Sequence, residues 1–252
     1  MIQRMVTSAV FAGFAAGLFA ALLHFAFVQK MILLGEQYET GAAVHHAGVA
    51  TAEDHAKAAT DGATFSAAPA ATEGDSPAHD ATGGEAASPL QRNALTVLFL
   101  VLQYCSYALV LVAGFALAQR RGQRVTARDG LLWGIAGFVA VQLAPAMGLA
   151  PELPGTMAAP LFDRQVWWAA TALCSGAAMA MIGYGRTVLW GAGAVLLLAL
   201  PHIVGAPDLG HFTGVAPPEV AASFAARSLG LGLATWSLMG WLSGWFWDRN
   251  LA

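Results

Sequence analysis

MVTSAVFAGFAAGLFAALLHFAFV, residues 5–28, is apolar throughout and contains no Asp, Glu, Lys or Arg. A bilayer core takes about 20 such residues as a helix. A signal-peptide core is only about 7–15 residues long, so this run reads as a retained membrane span. Five more apolar runs follow, at residues 93–118, 130–149, 166–185, 187–206 and 221–247. The expected fold class is therefore all-α: one polytopic transmembrane helical bundle over residues 1–252, with six spans. Composition agrees, since 57% of residues are hydrophobic and 11% charged, against about 25% charged in soluble domains. The fourth and fifth runs meet at a tight turn around Gly185 and Arg186, which makes them an antiparallel hairpin; a re-entrant unit there would reduce the count to five.

Basic residues in short loops set the orientation of such a bundle. With six spans, Arg4, Arg120, Arg121, Arg124, Arg128, Arg186 and Arg249 all fall on one side, which is then cytoplasmic together with both termini. The other side takes Glu36, Glu39, Glu152, Asp163, Asp208 and Glu219. Small residues recur at the GxxxG spacing in Gly13/Gly17, Gly130/Gly134 and Gly240/Gly244, which lets helix backbones approach closely in lipid. Trp241, Trp245 and Trp247 read as an inner aromatic belt and Trp167 and Trp168 as an outer one.

Residues 40–89 are rich in Ala, Thr, Gly, Ser, Asp and Glu, with Phe65 the single aromatic, a composition expected to stay disordered. This loop holds His45, His46, His55 and His79, with acidic neighbours Glu53, Asp54 and Asp80. Imidazole and carboxylate suit borderline divalent metals; a solvated linker with incidental histidines is the plainer reading. Within the spans, ionisable residues are costly and point to function. His24, His202, Gln142, Met147 and Arg227 come from different spans yet fall at about one depth, near Pro145 and Pro201. Each proline frees a carbonyl four residues back, and the pattern suggests a polar vestibule opening outward. Arg227 reads most simply as neutralising Glu36 or Glu219.

No GxxxxGK[ST], HExxH or CxxC occurs, and no Ser/His/Asp set is recognisable, so covalent catalysis and a built-in ATPase are unsupported. Cys105 and Cys174 lie in apolar runs and read as small core hydrophobes. Nothing suggests nucleic-acid binding. A membrane enzyme or a cofactor-binding protein holding haem or quinone through His24 and His202 is one alternative, and a non-transporting assembly subunit is another.

Five segments in order carry a resemblance: FVQKMILLGEQYE (27–39), LAPAMGLAPELPG (143–155), RQVWW (164–168), PHIVGAP (201–207) and PPEVAASFAARSL (217–229). Together with the histidine-containing loop, the chain resembles the CbtA family of predicted cobalt transporter subunits. The resemblance implies cobalt uptake across the bacterial inner (cytoplasmic) membrane, linked to cobalamin synthesis. It also implies a small single-span partner with terminal histidines, CbtB, and about five spans. Glu36, Tyr38, Glu39, Glu152, Arg164, His202 and Glu219 are the positions of interest it marks. The chain departs from the family where SPLQRN (88–93) has no Trp, where Lys30 stands in place of a Pro, and where the loop histidines are spread out. The candidate metal residues are thus His202, His24, Glu36, Glu39, Glu152, Glu219, His45, His46, His55 and His79. The ion would be cobalt(II) or nickel(II), carried rather than held as a permanent cofactor. The choice of cobalt rests on the resemblance, because the same ligands bind nickel or copper more tightly.

Overall fold

A computed structural model describes residues 2–43, 88–210 and 214–249. The histidines of the long loop, His45, His46, His55 and His79, lie outside the described residues. Six helices are present among the described residues. Helix α1 covers residues 2–39, with a π-helical turn at His24–Val28 between Ile2–Leu23 and Gln29–Glu39. Helix α2 is Pro89–Arg120, and α3 is Ala127–Ala146 with a second π-helical turn at Val139–Leu143. Helices α4 (Leu161–Tyr184), α5 (Val188–Val204) and α6 (Pro218–Arg249) complete the bundle.

Four of them, α1 to α4, are long and apolar enough to cross a membrane. Helix α5 has 17 residues, which at 1.5 Å each span about 25 Å. Helix α6 has 32 residues but is diluted by Gly, Ser and Trp. Many of those residues face protein: Gly232, Trp236, Gly240, Ser243, Gly244 and Trp247 are buried. The fourth and fifth runs form the expected hairpin, joined by residues 185–187.

Local signals fix where the helices start. Ser88 caps α2, accepting from the Gln91 amide at 3.2 Å, with Pro89 in the first turn. Thr126 and Asp129 form a capping box at α3. At the far end of α5, Gly205 takes φ +91, a backbone geometry open to glycine.

In space the order is α2, α1, α6, α3, α4, α5, with α5 packed chiefly on α4. Small residues set this order. A methyl group at Gly130 would collide with the Gly240 carbonyl, and one at Gly240 with Gly130, so the two GxxxG pairs lie face to face. Gly13 and Gly17 lie against the backbone of Cys105 and Val101 in α2. Ala9, Ala12, Ala16 and Ala20 line the same helix and are fully buried. Larger side chains fill the centre: Phe115, Val112 and Met239, with Tyr107 stacked on Trp236 at 4.8 Å.

Neighbouring helices alternate in direction, so the start of α1 and the end of α6 share one end of the bundle. Phe11 touches Phe246 at 6.0 Å there, and Arg124 bonds Asp248 at 2.9 Å. Two readings of the aromatic belt are corrected. Trp247 is 3% exposed and packs against Phe115, and Trp167 is 7% exposed. Trp241 and Trp168, by contrast, are exposed.

Candidate functional site

The opposite end of the bundle is irregular, and the causes are local. Pro145 has no N–H to offer the carbonyl of Val141 and its ring crowds that carbonyl. The π turn at Val139–Leu143 falls on that residue and widens the helix there. In α1, Arg227 of α6 donates to the Phe27 carbonyl at 3.1 Å, inside the other π turn. Single-turn π bulges recur at functional sites. In α5, the carbonyl of Pro201 accepts from the buried indole of Trp167 at 3.1 Å and from the Gly205 amide at 3.0 Å.

The connection after α3 folds over this end. Leu153 is buried with Val28 of α1 and Phe224 of α6 in a small second core. Gly35 lies under Pro154, and Thr156 forms an antiparallel bridge with Gly214. Gly155, at φ +79, sits against Val215 and Glu39. All five sequence segments that carry the family resemblance therefore meet at one end of the bundle.

Between α3, α4, α6 and this connection lies a cavity of about 400 Å³. Its walls are mainly apolar, with Pro145, Leu149 and Trp168 among them; its polar groups are Gln142, Gln165, Ser228, Glu152 and Arg164. Glu152 and Arg164 form an ion pair at 2.9 Å, their side chains 32% and 28% exposed. Among the described residues, Arg164 Nε is buried without an acceptor and Gln142 Oε1 without a donor. A buried polar atom left unpaired costs about 1–3 kcal/mol, so these two groups strain the packing behind the cavity wall.

The other candidate residues are spread around the same end. Glu36 pairs with Arg92 at 3.4 Å, both 43% exposed, and Gln29 donates to Asn93 at 2.9 Å beside them. The expected pairing of Arg227 with Glu36 or Glu219 is not formed: Arg227 goes to a backbone carbonyl and Glu36 to Arg92. Glu39 and Glu219 are exposed and make no ion pair among the described residues. His24 begins the α1 π turn, partly buried, with its ring edge-on to Phe25 at 5.7 Å. His202 stands edge-on to Trp167 at 5.7 Å. Met147 is 75% exposed, away from the cavity lining. Among the described residues, no three His, Cys, Asp or Glu side chains are close enough to share a metal ion.

Sequence reasoning missed three features here: the π turns, Arg92 as the partner of Glu36, and Glu152–Arg164 as a pair inside a cavity. Pro145 was a usable signal for one π turn. Glu36 and Arg92 are 56 residues apart and nothing in the sequence joins them; Glu152 and Arg164 were both marked by the resemblance, but not as a pair.

Residues 2–248 match a family model described as a probable cobalt transporter subunit, CbtA. The chain belongs to the CbtA family. It is a subunit of a metal transporter and a multi-pass membrane protein, and as a subunit it works with a partner chain. No curated protein and no solved structure matches it.

Proposed function

We propose that this CbtA chain is the permease core through which cobalt(II) enters the cell across the bacterial cytoplasmic membrane, with its irregular end facing outward. The convergence of both π turns, both prolines, the cavity and the four candidate carboxylates on one end carries this reading. Irregular backbone at membrane depth is tolerated where protein or a wet cavity receives it, and that is where an ion can shed water.

Orientation follows from charge. Arg120, Arg121, Arg124, Arg128, Arg186 and Arg249 lie at the end that holds both termini, and the positive-inside rule makes that end cytoplasmic. Arginine at the opposite end is neutralised or capped locally: Arg92 by Glu36, Arg164 by Glu152, Arg227 by the Phe27 carbonyl. In this arrangement two of the four carboxylates are engaged, so coordination requires them to be released or further ligands to be supplied. The loop histidines and those of a small single-span partner are the natural source of imidazole. His202 and His24 take the ion deeper. The chain transfers an ion and performs no covalent chemistry.

The test is radioactive cobalt uptake by cells lacking other importers, with the chain expressed alone and with its partner. His202→Ala, present in normal amount in the membrane, should lose uptake at limiting cobalt, and His24→Ala should lose less. Undiminished uptake by the His202 variant would remove that residue from the route.

A further inference from the structure

We propose that the cavity beside Glu152 and Arg164 binds the metal as a complex with a small carboxylic acid, rather than as a bare ion. This rests on the metal-transport reading and specifies the form in which the metal arrives.

Size is the first argument. At about 400 Å³ the cavity falls within the ~300–1,000 Å³ of small-molecule sites, which likewise pair apolar walls with a few placed polar groups. A dehydrated ion needs far less room and more carboxylates than the single one here, Glu152.

Charge is the second. A divalent cation arriving alone at Glu152 meets the Arg164 guanidinium, 2.9 Å from the same carboxylate, and is repelled by it. The pair is only half used. Glu152 bonds through Oε2 and Arg164 through Nη2, which leaves Glu152 Oε1 and Arg164 Nη1 outside the pair among the described residues. A ligand that is itself a cation–carboxylate pair complements both halves: its metal faces Glu152 and its carboxylate faces the guanidinium, whose planar fork suits carboxylate geometry. The amides of Gln142 and Gln165 and the hydroxyl of Ser228 line the same space and can bond the remaining oxygens of a hydroxy acid.

The experiment uses the full chain in lipid nanodiscs and radioactive cobalt(II), by equilibrium dialysis, with and without equimolar citrate. Citrate should raise bound cobalt at sub-saturating metal by roughly tenfold, the worth of one charged hydrogen bond. Arg164→Lys keeps a cation for Glu152 but loses the fork, and its binding should fall to the citrate-free level with thermal stability unchanged. Labelled citrate without cobalt should bind weakly. The proposal is overturned if citrate lowers cobalt binding, as a competing chelator does, or if Arg164→Lys keeps the full enhancement. Citrate binding equally well without metal also overturns it, since that marks a plain anion site. Because this is binding to purified protein, it separates from the uptake assay: intact uptake with no citrate effect removes the complex alone, and a citrate effect with no uptake removes the transport role.

Discussion

At the arginine-rich end, Gly130 and Gly134 lie against Gly240 and Gly244 with backbone touching backbone. At the other end the same two helices are separated by side chains, with Gln142 of the α3 π turn filling the space above Gly232 of α6. One pair of helices thus runs from a sealed contact to a polar, loosened one along its own length. In lipid no hydrophobic force draws helices together, so close packing of small residues supplies association. The sealed half holds the bundle while the other half carries π turns, a proline and an ion pair. A transporter needs both: a barrier that does not leak, and a region whose polar groups can change partners.

The largest effect should come from breaking the seal. Gly134→Val places branched carbons against the Trp236 carbonyl and the Gly240 backbone. Overpacking of this kind costs about 1–3 kcal/mol or more, and the variant should be depleted from the membrane and melt early in detergent. Normal abundance and melting would mean that the contact can open freely.

Pro145→Ala should separate the two halves by sign. With the N–H restored and the ring gone, α3 can wind regularly through Val139–Leu143, and a helix relieved of an interior proline gains up to about 3 kcal/mol. The protein should melt higher while cobalt uptake falls. Raised stability with full uptake would show that the π turn is a structural accident.

The long loop gives a smaller, conditional effect. Deleting residues 51–86, which spares the Ser88 cap of α2, should lower uptake at scarce cobalt and leave it intact at abundant cobalt. Loss at every concentration would place the loop in the conduction path.

Arg124→Ala should do least. Its pair with Asp248 leaves the Arg side chain 77% exposed, and exposed pairs are worth about 0–1 kcal/mol. Melting and uptake should both stay near wild type.

Much of this contrast was legible in the sequence. The apolar runs located six helices, although α1 runs on to Glu39, eleven residues past its apolar core. GxxxG spacing named the residues of the seal, because small size at period four has a single geometric consequence. Partner choice was not legible. Trp167 looked like a belt residue, since an indole suits an interface, but its N–H went to the Pro201 carbonyl across the α4–α5 contact. Arg227 looked like a counter-ion and instead bonds the Phe27 carbonyl, two hundred residues away in sequence. Hydropathy gives each residue a depth, while partners depend on the order of helices in space, and that order is not the order of the chain.

The central claim is that the irregular end is the outward entry for the metal. Ser228 lines the cavity, so a Ser228→Cys variant with Cys105 and Cys174 replaced by Ala reports on it directly. A membrane-impermeant thiol reagent applied to intact cells should label Cys at this position, and cobalt supplied with citrate should slow the labelling. Labelling only after the membrane is permeabilised would place the cavity on the cytoplasmic side and contradict the account.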